Sequence, residues 1–504
     1  MRTATSDSDS TNGNEMTIVG ADIVVIDNFK GEKLSTQAES KVVELDPMNP
    51  LNWKPFTKWR ILALVAFQGM LGPLTDSIYL PAILEVAAAL QTDLTVINAS
   101  VIDINTETRS SFRAIPRTLS SVYMLGMGLA ALFWGPFSEI AGRRIAYLST
   151  AVLYVVTSVA CALSNSIGLF IVMRILQSFV AGAAPTVGAG TIVDLFPIEQ
   201  RGTAVGIFFL GPLVGPVIGP IVGGYIAQYL GWHWIFWLLT IVGGVILVLS
   251  IFLLPETLYR PNLPVPAVAT TTISGKIKAV LKSFPNPFKP LIMFRLPPVL
   301  LVSFNYSFVF GWFYLLITVL PVAFAEDYGY SSGTIGLCYL ANSVGNIIGA
   351  AAGGRILDIL LIRLTARNKG VAEPEMRVHI MWFGLFMTPA ALLIYGWTLN
   401  NGAHVALPLF GFFLLGLGVM TMMTGTNSYL VDSYPETSAS ASAAGNFMMC
   451  VWASITPLFA NAWRDSMHDG WMFTVISILM VVVCFVNITA LLFYGKYWRQ
   501  RFHQ

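Results

Sequence analysis

The stretch Gly206-Ile-Phe-Phe-Leu-Gly211-Pro212-Leu-Val-Gly215-Pro216-Val-Ile-Gly219-Pro220-Ile-Val-Gly223-Gly224 is apolar and carries no charge. In water so many glycines and prolines would break a helix. In lipid they are tolerated, because an unsatisfied backbone is too costly for the chain to leave the helix. As a helix, Gly206, Gly215, Gly219, Pro220, Gly223 and Gly224 create a face with almost no side chain, interrupted further by Gly211-Pro212 and Pro216. Small residues let helices approach closely in a bilayer, and proline bends a span. The stretch therefore predicts a membrane helix whose glycine face meets another helix, a contact able to take part in a conformational switch.

The surrounding chain agrees. Of 504 residues, 55% are hydrophobic and 11% charged, against roughly 25% charged in soluble domains, which excludes an ordinary soluble enzyme. A net charge of +2 advertises no nucleic-acid partner. Cys161, Cys338, Cys450 and Cys484 lie singly in apolar runs, so neither a disulfide framework nor a zinc site is expected. No metal or other cofactor is expected. A bilayer core of about 30 Å takes roughly 20 apolar residues per helix. Twelve stretches qualify, near 61–83, 121–139, 145–163, 168–190, 203–228, 233–254, 298–324, 333–360, 379–398, 404–428, 441–463 and 471–495. The expected fold is an all-α membrane protein of twelve transmembrane helices in two six-helix bundles.

The expected organisation is a disordered cytosolic tail at 1–57, a first bundle at 58–254, a cytosolic inter-bundle loop at 255–297, a second bundle at 298–496 and a short cytosolic tail at 497–504. The first tail is rich in Ser, Thr, Asp and Asn and has no signal-peptide core. With both termini cytosolic, only Arg109, Arg113, Arg117 and Arg464 fall outside and Arg174 within a span; the rest of the 29 basic residues fall inside, as positive-inside bias requires. An internal repeat supports two halves. Gly135, Glu139 and Arg143 follow the second span, and Gly354, Asp358 and Arg363 follow the eighth. Parallel repeats of this kind generate paired bundles with a midplane cavity.

Ionisable groups inside spans are functional candidates by default. Asp76 lies deep in the first span, in Gly72-Pro-Leu-Thr75-Asp76-Ser77, and either exchanges protons or is hydrogen-bonded near the outer end of the helix. Arg174, in Met173-Arg174-Ile-Leu-Gln177-Ser178, either faces a cavity or partner or snorkels to the outer interface. In the turn Gly135-Pro-Phe-Ser-Glu139-Ile-Ala-Gly142-Arg143-Arg144, glycine permits close approach, Glu139 can face a helix N-terminus or a basic partner, and the arginines can hold helix C-termini or acids. The second half has no mid-span acid or base in spans seven, nine, eleven and twelve, so proton coupling would belong to the first half.

These residues bring a family into view. From Asn49-Pro-Leu-Asn-Trp53 to the last span the chain resembles the major facilitator superfamily, and within it a fungal-type drug:proton antiporter with twelve spans. Gly135 to Arg144 matches its loop signature, with Glu139 in place of the commoner aspartate. Arg174 and Gln177 match the fourth-span signature, with Ser178 where glycine is usual, and the glycines and Pro220 of the fifth span match the antiporter signature. Smaller echoes are Asp194-Leu-Phe-Pro197, Leu254-Pro-Glu-Thr257, Pro374-Glu-Met-Arg377 and Tyr429-Leu-Val-Asp432. The resemblance implies the major facilitator fold, with Arg174 assisting proton transfer. It also implies that the fifth-span glycines form a sealed, bending interface and that the loop signature controls the inward–outward switch.

A cavity for amphiphilic solutes should offer aromatic surface and a few polar anchors. The spans supply Gln68, Tyr79, Gln177, Phe208, Phe209, Asn305, Tyr306, Tyr314, Asn342, Asn346, Thr424, Asn427 and Asn446. Residues 102–119 read as an insert, either a flexible outer loop, a gene-model artefact or a cap over the cavity. The expected function is proton-coupled antiport exporting small organic molecules, by a monomer in the plasma membrane rather than the vacuole. An organic-acid or nutrient carrier and a non-transporting sensor stand as alternatives, and no nucleotide or metal motif points to an enzyme.

Overall fold

The computed structural model describes residues 16–19, 22–25, 49–92, 106–259, 288–371, 373–434 and 437–502. The inter-bundle loop between 260 and 287, most of the first tail and the last two residues lie outside them. Within the first tail, β1 (Met16–Val19) and β2 (Asp22–Val25) pair antiparallel with Met16 opposite Val25.

From Asn49 onward the regular structure of the described residues is helical. The first span is α1 (Pro55–Ser77), which passes through a 3-10 turn at Leu80–Ala82 into α2 (Ile83–Thr92). The second, third and sixth spans are α3 (Thr106–Ala141), α4 (Arg143–Ala162) and α8 (His233–Leu253). The fourth is split at Gly182 into α5 (Ile167–Ala181) and α6 (Ala183–Leu195), and the fifth is the unbroken α7 (Ile198–Leu230). In the second half α9 (Pro297–Tyr328), α10 (Ser332–Arg367), α11 (Met381–Asn400) and α12 (Ala406–Ser433) are spans seven to ten. The last two spans make up α13 (Ser438–Phe502), which reverses at His468, where φ is 59° and ψ 164°.

Eleven of these segments are long and apolar enough to cross a membrane among the described residues. The twelfth long helix of the two bundles is α10, in which Asn342 and Asn346 stand among a row of glycines. Local sequence sets the ends. Ser166 accepts from Leu169 N–H and caps α5, and Gly231 and Gly329 stop α7 and α9 at φ values of 90° and 65°, conformations that side chains resist.

Two expectations are corrected here. Helix α3 starts at Thr106, so the later part of the supposed insert is a helical extension of the second span instead of a loop. Extending a helix that an apolar span has already nucleated is cheap, and Glu107, Arg109, Arg113 and Arg117 are good helix formers. The second concerns the glycine face of α7. Cβ atoms built on Gly211, Gly215, Gly219 and Gly223 would run into α1 at Ala66 O, Leu74 N, Ser77 Oγ and Ile78 O, and one on Gly224 into Ser332 O. Those residues, four apart, form a single ridge along α1. Gly206 does not belong to it, since a Cβ there meets nothing within 4 Å.

The two six-helix sets meet on the side away from Pro55 and Phe502. Tyr314 OH donates to Asp76 Oδ1 at 2.8 Å, Ser331 Oγ to Gln228 Oε1 at 3.2 Å, Ser343 Oγ to Pro216 O at 3.2 Å, and Ser332 Oγ to Glu85. Deeper in the seam Met124 of α3, Tyr314 of α9, and Cys450 and Ala453 of α13 form a small apolar cluster of their own. All four cysteines are buried and none is in a disulfide.

Candidate functional site

The last turn of α1 gathers the ionisable candidates. Arg174 is 0% exposed, so it does not snorkel. Its guanidinium lies 4.1 Å from the ring centre of Tyr79, 4.4 Å from that of Tyr123 and 5.7 Å from that of Phe236. Nη1 donates to Gln177 Oε1 at 2.9 Å, both Nη atoms reach Thr75 O at 3.4 Å, and Nε has no partner. Gln177 is in turn held by donating to Ser158 Oγ at 2.8 Å, and Thr75 Oγ1 bonds Tyr154 OH. Among the described residues Arg174 forms no ion pair; aromatic faces and the C-terminal carbonyl of a helix satisfy the cation instead.

Asp76, one residue beyond Thr75, is partly buried and accepts from Tyr314 across the seam. The acid and the arginine therefore share one helix end, joined through a peptide rather than through a direct ion pair. Tyr123, Tyr154, Thr75 and Ser158 escaped the sequence reading. Neutral residues on three different spans carry no linear signal that they converge on a cation.

Lysine cannot stack between two rings while donating to both Gln177 and Thr75. Arg174→Lys is thus expected to lose roughly 2 kcal/mol or more, the range for a desolvated cation–π contact with a charged hydrogen bond. The readout is a lower melting temperature in detergent, and unchanged melting would show that the aromatic cage is not needed.

The other cavity candidates separate into groups. Gln68 Nε2 donates to Tyr147 O and Thr150 Oγ1, both at 3.2 Å, inside the first bundle. Phe208 is buried against Gly69 and Gly188, and its neighbour Phe209 is exposed. Asn342 and Asn346 lie against Gly416 of α12, Thr424 donates back to Met420 O at 2.8 Å, and Asn305 Nδ2 approaches Met381 Sδ at 3.7 Å. Tyr306, Asn427 and Asn446 come together. With Ser303, Met423, Thr426, Leu430, Ser442 and Gly445 they line a pocket between α9, α12 and α13, in the half of the molecule nearer the termini.

On the terminal face a second constellation surrounds Gly142, whose φ of 100° admits the turn between α3 and α4. Arg143 Nε donates to Asp194 Oδ2 at 3.1 Å and its Nη1 to Ser138 Oγ at 2.6 Å. Glu256 accepts from the backbone N–H of Arg143 at 2.9 Å and of Arg144 at 3.2 Å, capping α4, and Arg144 Nη2 donates to Ile251 O at 3.1 Å. A carboxylate at a helix N-terminus satisfies orphan amides and the dipole together. Glu139 is expected to face either a basic partner or a helix N-terminus such as this one. The structure puts Glu256 there and leaves Glu139 exposed, because the chain returning from the sixth span reaches the α4 terminus.

The second half is built differently. Among the described residues Asp358 forms no ion pair, and a Cβ on Gly354 would meet open space. Arg499 instead grips Glu375 through Nε at 3.2 Å and Nη2 at 3.1 Å, Arg377 pairs with Asp432, and Lys496 pairs with Glu373 at 2.5 Å, holding that carboxyl below its usual range. Helix α10 runs straight past the position at which α3 stops, so the repeated acid never meets a neighbouring helix N-terminus.

Twelve spans in two bundles, meeting at a seam crossed by the Tyr314–Asp76 hydrogen bond and with a caged arginine inside the first bundle, define a solute transporter. The profile of the Major Facilitator Superfamily matches residues 65–457, and the chain belongs to that superfamily. It is 33% identical over 464 residues to the efflux pump radE of Floropilus chiversii, covering 89% of this chain and 82% of that one. It is 32% identical over 483 residues to the MFS-type transporter hepF of Aspergillus oryzae, covering 93% and 96%. A D-xylose–proton symporter shares the fold with a TM-score of 0.64 at 15% identity, over 85% of this chain and 97% of that one. A human organic anion transporter does so at 0.58 and 17%, over 86% and 100%. The protein is a multi-pass membrane transporter and not an enzyme.

Proposed function

We propose that this transporter is a proton-coupled antiporter that exports small organic molecules, whether drugs, toxicants or endogenous metabolites, by alternating access. The observation carrying the reading is the Tyr314–Asp76 hydrogen bond. It crosses a seam that must part when the far side opens. An ionised carboxylate accepts a stronger hydrogen bond than a protonated one. A proton arriving on Asp76 therefore loosens the closed side, and its loss closes that side again. Arg174 fixes the adjacent Thr75 carbonyl, so the acid is presented in one geometry.

Export is supported by the efflux-pump name of the relative from Floropilus chiversii. The terminal face is taken as cytosolic on the positive-inside bias, the membrane as the plasma membrane and the working unit as a monomer. The glycine ridge on α7 and the Arg143–Asp194–Glu256 constellation are assigned to the switch between inward- and outward-facing states.

The test is expression in a transporter-deficient cell with comparison of retained and secreted small molecules, before and after the proton gradient is collapsed. A set of molecules should be secreted and its secretion should stop on collapse. Secretion that continues down a concentration gradient alone would replace antiport with facilitated diffusion.

A further inference from the structure

We infer that the terminal-side end of α10 is a docking surface for the anionic phospholipid headgroups of the leaflet in which it stands. One stripe of this helix faces outward along its length. Within the span the stripe is apolar, made by the exposed Leu337, Val344 and Ile348 at spacings of seven and four residues. Exposed aliphatic surface on a membrane helix meets acyl chains. The same stripe then runs on through Arg355, Ile359, Ile362, Arg363 and Arg367, all of them exposed. The opposite side is committed to protein, since Leu357 is buried and Cβ atoms on Gly345 and Gly349 would strike α12 at Phe413 O and Leu417 O.

Length sets the depth. Helix α10 has 36 residues, and roughly 20 suffice for the hydrocarbon core. Its outer end is fixed at the seam, where Ser332 donates to Glu85, so the surplus lies on the terminal side. There Arg355, Arg363, Arg367 and Lys369 stand against one acid, Asp358. Among the described residues none of these four cations forms an ion pair, whereas Arg377, Lys496 and Arg499 on the same face of the second bundle each hold a carboxylate. The inter-bundle loop, with Lys276, Lys278 and Lys282 and no acid between 260 and 287, offers the patch no counter-charge. Isoleucine interleaved with unpaired arginine calls for two media at once, acyl chain for the one and anion for the other. The boundary between headgroups and acyl chains supplies both. A soluble anion would satisfy the arginines and leave Ile362, 69% exposed, in water. The inference takes the terminal face as cytosolic, where anionic lipids collect, and does not depend on proton coupling.

The experiment titrates the purified full-length chain, in micelles of an uncharged detergent, with dioleoylphosphatidylserine and dioleoylphosphatidylcholine in separate samples, and native mass spectrometry counts the lipid retained. Phosphatidylserine should bind at least about tenfold more tightly than phosphatidylcholine. The triple variant Arg363→Gln, Arg367→Gln and Lys369→Gln should lose at least about tenfold in affinity for phosphatidylserine, the scale on which three cations act at an anionic surface, and keep its affinity for phosphatidylcholine. Arg363→Lys with Arg367→Lys preserves the charge and should bind like the parent. So should Arg60→Gln, which removes an exposed arginine of the terminal face outside the patch. Glycerophosphoserine, the same headgroup without acyl chains, should not displace the lipid at equal concentration. Equal binding of the two lipids, undiminished binding by the triple variant, or loss of binding on the two lysine substitutions overturns the inference. A loss in Arg60→Gln as large as that in the triple variant would replace the site with diffuse attraction to the whole face, and displacement by glycerophosphoserine would replace the lipid with a soluble anion. Transport is not part of the readout, so failure here leaves the antiport reading standing, and failure of that reading leaves the lipid site.

Discussion

Gly223→Ala is expected to cut transport to less than about a tenth of the wild-type rate in protein that still reaches the membrane. A Cβ at that position falls on the carbonyl oxygen of Ile78, a backbone atom that no rotamer change can move aside. Relief requires α7 to lift away from α1, and overpacking of this kind costs roughly 1–3 kcal/mol even where side chains can yield. Gly211→Ala meets Ala66 O in the same way and should behave alike. Gly219 faces the Ser77 hydroxyl, a group that can rotate, so Gly219→Ala should be milder and Gly219→Leu severe. Gly206→Ala should be nearly silent, because nothing lies within 4 Å of its Cβ. Transport rates at matched membrane abundance check the order, and full activity in Gly223→Ala would show that the two helices do not stay in contact during the cycle.

Asp76→Asn should abolish accumulation against a gradient while leaving exchange down a gradient. The amide cannot take up and release a proton, yet it can still accept from Tyr314, so the seam should close normally. Movement of one charge through 100 mV is worth about 2.3 kcal/mol, or about fiftyfold in concentration, and that is the accumulation expected to disappear. Tyr314→Phe removes the donor but not the acid, so it should retain proton movement and weaken closure of the far side. Substrate-driven proton release from vesicles carrying each variant separates the two. Proton release by Asp76→Asn at the wild-type level would place the coupling group elsewhere.

The two residues that the chain advertises most loudly, Asp76 and Arg174, were legible because ionisable groups within apolar runs are rare and costly. Their surroundings were not. The cage around Arg174 is made by Tyr79, Tyr123 and Phe236 from three different spans, and a tyrosine in a membrane helix looks the same whether it faces a cation, a cavity or lipid. The thirteen polar and aromatic positions chosen for the cavity show the same ambiguity. Tyr306, Asn427 and Asn446 share a pocket in the second bundle, Gln68 lines a separate one in the first while holding α1 to α4, and Asn342 and Asn346 lie against α12. An amide satisfies a neighbouring helix as readily as a ligand.

Composition and apolar run length determined that the protein spans a membrane with twelve helices, because a bilayer imposes a fixed length and forbids unpaired backbone, and the repeated glycine–acid–arginine pattern divided them into two halves. Glycine spacing alone determined that the fifth span has a face for close contact. Which helix meets that face, which acid caps α4, and which glycine stands outside the contact were decided only by the tertiary structure. The rotation and height of each helix are set by packing against its neighbours, and a linear pattern records neither. Glu256 shows the point most directly: it lies 113 residues from the Arg143 amide it accepts from, and only the return of the sixth span to the terminal face brings the two within 2.9 Å.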